Sequence, residues 1–443
     1  LDSGQPIACT TCQTIVRMST TPAIQWTFTH GNWSPITGTK AVTSRTSMAA
    51  AIVGAARRLD RAIGLARGPR RLLVEARSPM NLEVLRPIWS ALAGDPRVEL
   101  AFTSEAPDWV RPPLEAAGLA GRLIPQRAAV WTRFDLACNA DPWNALSLRR
   151  CWRRVNFFHG VAGKYDLDDP AALGRHVDFG IYDRVMFANE DRLRRYVDGG
   201  LVAPGRAALV GFPKIDDLVN GRWSAAAVRR ELGLDPALET VLYAPTYSPA
   251  SSLHLAGEAI VERMLATGRN VVVKLHERST VPHPKYTSDV DWLARLRRFE
   301  GRERYAFAAG AHAGPYLAAA DLLITDHSTI GFEFALLDRP LVVFDAPDLL
   351  HHARIEPGKW HLLRSMADVV ADADALPQVV ASALADPARH AAARRAATGA
   401  LFAHAGRATQ RALAVVYGLL ELDAAGACAP HAAPGAYARG GRA

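Results

Sequence analysis

Cysteine is scarce in this chain. There are five in 443 residues, and only Cys9 and Cys12 lie close together. That density cannot frame a disulfide scaffold, so a reducing, cytosolic compartment is the starting expectation. Long apolar runs are missing too. The best candidate, Ala412 to Leu420, stops at Glu421 and falls well short of the ~18 residues a spanning helix needs. No Gly-x-x-x-x-Gly-Lys-Ser/Thr loop occurs, and no Gly-x-Gly-x-x-Gly follows an apolar run, which argues against P-loop hydrolysis and dinucleotide redox chemistry. Cys9-Thr-Thr-Cys12 has no second ligand pair, and His283, His351 and His352 stand apart from any Cys or carboxylate pattern, so no metal site is expected. The basic residues are dispersed without interleaved aromatics, a poor match to nucleic-acid binding.

What is present is ordinary globular composition, 49% hydrophobic and 22% charged, in a chain long enough for two or three domains. Lys plus Arg outnumber Asp plus Glu by 52 to 44, a mild basic excess compatible with an anionic membrane or a phosphate-rich substrate. Residues 1–47 are rich in Thr, Ser, Gly and Pro and show no apolar period, so they are expected to be disordered or non-native. Residues 48–205 and 206–422 read as two α/β domains, and 423–443 as a loose tail.

Short apolar runs alternate with amphipathic stretches. Strands are expected at 72–75, 98–102, 155–158, 185–187 and 208–210, then at 241–244, 271–275, 322–325 and 341–344, with helices such as 256–266 and 330–337 between them. Continuous apolar strands alternating with helices imply parallel sheets covered on both faces. The pattern runs twice, so the expected architecture is two doubly wound, Rossmann-like domains facing a cleft. Ligands of such folds sit beyond the carboxyl ends of the strands.

The residues that follow the strands therefore carry the functional reading. His159-Gly160-Val161-Ala162-Gly163-Lys164 places an imidazole at a strand end, either as a general base or as a loop histidine bonded to a nearby carbonyl. Asp326-His327-Ser328-Thr329 precedes an apolar helix whose free N–H groups and dipole would favour an anion, unless it is simply a capped helix. His159 and His276 come from different halves, which fits a group-transfer site.

Five stretches in order resemble the CDP-glycerol glycerophosphotransferase family, GT-B-type enzymes that build teichoic-acid and related polyol-phosphate chains. They are Phe158-His159-Gly160, Gly211 to Asp216, Tyr243 to Tyr247, Lys274-Leu275-His276 and Asp321 to Phe334, and Phe402 with Gly406 to Thr409 resembles the closing segment. The resemblance covers about 155–410. It implies a base at His159, a charge-stabilising partner at His276, and donor contacts from Gly160, Val161, Ala162, Gly163, Lys214, Pro245, Thr246, Lys274, Leu275, Ser328, Thr329 and Glu333, with no obligatory metal or other cofactor. The departures are Val161 for a Thr, Lys214 for an Arg, Glu277 for a Pro and Glu333 for an Asp.

The implied substrates are a CDP-linked polyol donor and a lipid-linked or glycan acceptor, with CMP released. A GT-B glycosyltransferase or sugar-nucleotide 2-epimerase using a UDP-sugar, and a non-catalytic binding protein, are the alternatives. Six arginines at 57, 58, 61, 67, 70 and 71 face the single acid Asp60, and Arg149, Arg150, Arg153 and Arg154 form a second cluster. Such segments either lie on an anionic bilayer or form a solvated face. The first option would make the protein cytoplasmic and peripheral on the inner face of the membrane.

Overall fold

The computed structural model describes residues 26–29, 32–35, 54–55, 58–62, 64, 68–161 and 177–424. Within the segment expected to lack structure, β1 (Trp26–Thr29) and β2 (Asn32–Pro35) pair as an antiparallel hairpin. Two six-stranded sheets, parallel throughout, account for the remaining strands. The first holds β3 (Arg70–Glu75), β4 (Val98–Thr103), β5 (Phe134–Asn139), β6 (Cys151–Phe157), β7 (Arg184–Phe187) and β8 (Ala207–Leu209) in the order β4-β3-β5-β6-β7-β8. The second holds β9 (Thr240–Tyr243), β10 (Asn270–Val273), β11 (Tyr305–Phe307), β12 (Leu322–Thr325), β13 (Leu341–Phe344) and β14 (Asp368–Val370) in the order β11-β10-β9-β12-β13-β14.

Burial explains the strand composition. Leu72 and Leu73, Val271 to Val273, and Leu322 to Ile324 are wholly inaccessible, because helices cover both faces and no position is left for a polar alternate. Each such side chain contributes about 1.5–3 kcal/mol by leaving water. In each sheet the chain fills one side of the first strand and then returns to the other. The direction reverses between β3 and β5 in the first sheet and between β9 and β12 in the second. A crevice opens at the carboxyl ends of such a strand pair.

Helix α1 (Pro79–Ala93) covers the first sheet with Leu82, Leu85, Ile88, Trp89 and Leu92, and Trp89 meets Phe102 edge-on at 5.9 Å. Its start is fixed by a reciprocal cap. The Ser78 side chain accepts the Asn81 N–H, and Asn81 Oδ1 accepts the Ser78 N–H. In the first lobe α2 (Glu190–Asp198) begins at Asn189, whose Oδ1 accepts the Arg192 N–H at 2.9 Å. In the second lobe α3 (Ser252–Ala266) packs on the sheet, and α4 (Thr329–Ala335) follows β12.

The boundary expected after residue 205 needs correction. β8 still belongs to the first sheet, paired with β7, so that lobe extends through Leu209. The chain also returns at its end. Helix α5 (Ala408–Leu420) packs on the first lobe, where the Tyr417 hydroxyl donates to Asp95 at 2.9 Å and Arg70 donates to the Leu420 carbonyl at 3.0 Å. The two crossings between lobes lie side by side. Phe212 faces Phe402 at 6.4 Å, and Asp216 accepts the Thr409 N–H at 2.6 Å. Gly211 sits there at φ +93°, and a Cβ would stand 2.2 Å from the Ala403 carbonyl oxygen, so glycine is required on both counts.

Candidate active site

A cavity of about 290 Å³ opens between the lobes at both points of reversal. From the first lobe it is lined by Arg77 and Ser78 beyond β3, Asp141 and Trp143 beyond β5, and Phe158, His159 and Gly160 beyond β6, with Met80, Asn81 and Arg192 alongside. The second lobe supplies Tyr247 beyond β9, His276, Glu277 and Arg278 beyond β10, and Thr329 beyond β12. Of the residues expected from sequence, His159, Gly160, His276 and Thr329 thus meet at one cavity.

His159 is half-exposed and its Nδ1 lies 2.8 Å from Asp141 Oδ1. Burial pushes the Asp141 carboxyl up. The His159 contact and the bonds from Asn81 and Trp143 together outweigh this and leave the group below the ordinary carboxylate range. Arg192, itself buried, donates to the Gly160 carbonyl at 2.8 Å and lies over the Phe158 ring, which fixes the turn that carries His159. Val161 is turned into the core and its carbonyl accepts from Asn189. Ala162, Gly163 and Lys164 lie outside the described residues.

His276 is set differently. Its Nδ1 accepts the Arg278 N–H at 3.1 Å, so the neutral ring carries its proton on Nε2. The ring packs on Tyr247 at 4.2 Å, and the Arg278 guanidinium lies over both Tyr247 and Tyr286. Glu277 reaches across the cleft to accept the Met80 N–H at 3.1 Å at the start of α1. Burial raises its pKa, against the lowering by bonds from Ser78 and Met80 and by nearby cations. A second bridge between lobes joins Glu83 of α1 to His312, Nδ1 to Oε2 at 2.9 Å. Arg86 lies 3.2 Å from the other ring nitrogen. Burial pushes the Glu83 carboxyl up, but the His312 bond and the Arg86 charge outweigh it and hold the pKa near 2.

The remaining expected residues do not line this cavity. Lys274 is buried and donates to the Leu275 carbonyl at 2.8 Å, and burial lowers its pKa to about 8. Leu275 and Pro245 are buried. Lys214 is engaged by Glu333 at 2.7 and 2.9 Å. Thr246 is tied to the β12 end: its N–H donates to Asp326 and its hydroxyl to the His327 carbonyl. Ser328 occupies the N-cap position of α4 in extended conformation without a side-chain cap bond. Among the described residues no group of three or more His, Cys, Asp or Glu is arranged to hold a metal ion.

The residues that sequence reasoning missed are Asp141, Trp143, Arg192, Arg77 and Asn81, and Glu277 was noticed only as a departure. Asp141 stands two residues past the end of β5, a strand that the sequence pattern did not reveal.

Two parallel α/β sheets with a cavity between their strand ends define a GT-B-like fold. The sequence pattern described as "CDP-Glycerol:Poly(glycerophosphate) glycerophosphotransferase" matches residues 202–418, just under half of the chain, so the second lobe is similar to that family. A teichoic acid poly(ribitol-phosphate) polymerase of Bacillus spizizenii is 25% identical over 169 residues. That stretch is 37% of this chain and only 26% of the relative. Among solved structures, the wall teichoic acid polymerase TagF superposes with TM-score 0.59 at 14% identity, over 80% of this chain and 90% of that one. A putative UDP-N-acetylglucosamine 2-epimerase from Listeria monocytogenes gives 0.54 at 13% identity, over 80% and 98%. These likenesses establish the fold.

Proposed function

We propose that the protein transfers glycerol phosphate, or a related polyol phosphate, from a CDP-activated donor to a hydroxyl of a cell-envelope glycan or polymer acceptor, releasing CMP. The observation that carries this reading is the meeting of His159 with His276 and Thr329 across one cavity, in a chain whose second half has the family's sequence. The acceptor oxygen attacks the phosphorus bonded to the polyol and its proton passes to His159. The bond from phosphorus to the CMP oxygen breaks, and CMP departs with the charge. His276, donating through Nε2, together with Arg278 and the start of α4 at Thr329, stabilises that charge. Each preorganised donor of this kind is worth about 3 kcal/mol when removed. These cations and dipoles take the place of a divalent ion, so none is obligatory.

The donor class is tested by a thermal-shift panel of CDP-, UDP- and GDP-linked compounds, followed by CMP release from CDP-glycerol. Stabilisation by cytidine compounds with CMP production supports the proposal. A uridine preference, with UDP or an isomerised sugar as product, overturns it in favour of the epimerase-type chemistry that shares the fold. The same reading places the enzyme in the cytoplasm, peripheral to the inner membrane face that presents a lipid-linked acceptor. Among the described residues no helix is long and apolar enough to cross a membrane, while Arg149, Arg150 and Trp131 are exposed. Flotation with anionic vesicles tests this attachment.

A further inference from the structure

We infer that Asp141 is the positioning residue of the transfer reaction. It holds His159 in the one tautomer and orientation that leave Nε2 able to take the acceptor proton. The inference rests on the transferase reading above and names a residue outside its expected machinery.

The argument begins with the carboxylate. An ionised Asp only accepts hydrogen bonds, so the 2.8 Å contact with His159 requires the proton to be on Nδ1. In the neutral ring the lone pair is then on Nε2, and His159 lines the cavity. The opposite tautomer would present N–H there and could accept nothing. His276 supplies the contrast. A backbone N–H aimed at its Nδ1 puts its proton on Nε2, so the neighbours of the two cavity histidines set one as a base and the other as a donor.

Asp141 is also held from behind. Its Oδ1 accepts from Trp143 Nε1 at 3.1 Å and its Oδ2 from Asn81 Nδ2 at 3.1 Å. Asn81 is buried, and its Oδ1 accepts both the Arg77 and Ser78 N–H groups in the cap of α1. Both carboxylate oxygens are committed, so the group cannot rotate, and the first turn of a fifteen-residue helix fixes the imidazole through one intermediary. In the chemical step one O–P bond forms as the P–O bond to CMP breaks. The acceptor proton ends on His159 Nε2, and Asp141 stays ionised beside the imidazolium.

The test uses Asp141→Asn, Asp141→Glu and Trp143→Phe in the full chain, with two readouts. Turnover of CDP-glycerol should fall roughly 100- to 10,000-fold in Asp141→Asn through kcat with KM for the donor unchanged, because the amide can donate to Nδ1 and force the wrong tautomer. Asp141→Glu should restore part of the rate, and Trp143→Phe should cost less than tenfold. Independently, ¹⁵N NMR, with His159→Gln to assign the signal, should show the Nδ1–H tautomer in the wild type and Nε2–H in Asp141→Asn. An unchanged tautomer, or a loss confined to KM, overturns the inference. If the wild type turns over no CDP-linked polyol, the transferase reading fails, and the NMR result still decides whether Asp141 sets the ring.

Discussion

Lys274→Met should make the protein more stable. The Lys274 side chain is buried at 6% exposure, and burial lowers its pKa from 10.5 to about 8. At neutral pH the lysine is charged in both states. The folded state therefore bears the cost of carrying an ammonium out of water. At about 1.36 kcal/mol for each tenfold change in proton affinity, that lowering corresponds to a penalty of about 3 kcal/mol. Methionine has similar length and no charge, but it loses the bond to the Leu275 carbonyl, worth ~1 kcal/mol. The net gain expected at pH 7 is about 2 kcal/mol.

The sign of the pH dependence follows. A lysine with a depressed folded pKa destabilises fully below about pH 8, and the effect fades as pH rises toward 10.5, where the unfolded chain also loses the proton. The advantage of Lys274→Met should therefore be constant from pH 6 to 7.5 and gone by about pH 10. Guanidinium denaturation at each pH measures this. A Lys274→Met protein no more stable than the wild type at pH 7 would refute the claim that the fold holds a penalised charge at this position.

Other outcomes are fixed by particular contacts. Glu333→Gln should destabilise by roughly 3–5 kcal/mol in denaturant titrations, because it strands the Lys214 ammonium in a nearly buried pair. Lys214→Met with Glu333→Leu should recover most of that loss. Glu75 is buried and its pKa is raised to about 7, burial outweighing its bonds from Leu146 and Asn139. Stability from this group is full below pH 4.5 and is lost as pH rises through 7. The wild type should therefore lose about 3 kcal/mol relative to Glu75→Gln over that window. Prior treatment with EDTA should leave the rate of CMP release unchanged, and a loss restored by magnesium would count against cations of the chain doing this work.

The sequence made nine strands legible because each was a short, mainly apolar run. It hid β5, Phe134-Asp-Leu-Ala-Cys-Asn139, although all six residues are buried in the middle of the first sheet. Asp135 accepts the Arg71 N–H and pairs with Arg133. Asn139 accepts from Asn156 and donates to Tyr182. Apart from Arg133, the partners of these polar residues lie far along the chain, so no local pattern reveals a core strand. Missing β5 concealed Asp141 just beyond it, and with it the partner of His159. The motif residues from His159 onward were legible because they follow recognisable strands. Lys214 and Glu333, 119 positions apart, were each assigned to a donor, and only folding pairs them with each other.

The way the chain crosses twice between lobes bears on how it can be dissected. A single cut near residue 206 severs β8 from the sheet it completes and leaves α5, whose partners are Asp95 and Arg70, attached to the wrong fragment. Neither half made that way contains its own finished core. An independently expressible second lobe would need excision of an internal piece, roughly from Lys214 to Leu401, with the ends rejoined in the remaining lobe. The two lobes are thus a host and an insert, and the insert reaches back through Glu277 and His312 to the helix whose first turn holds Asp141.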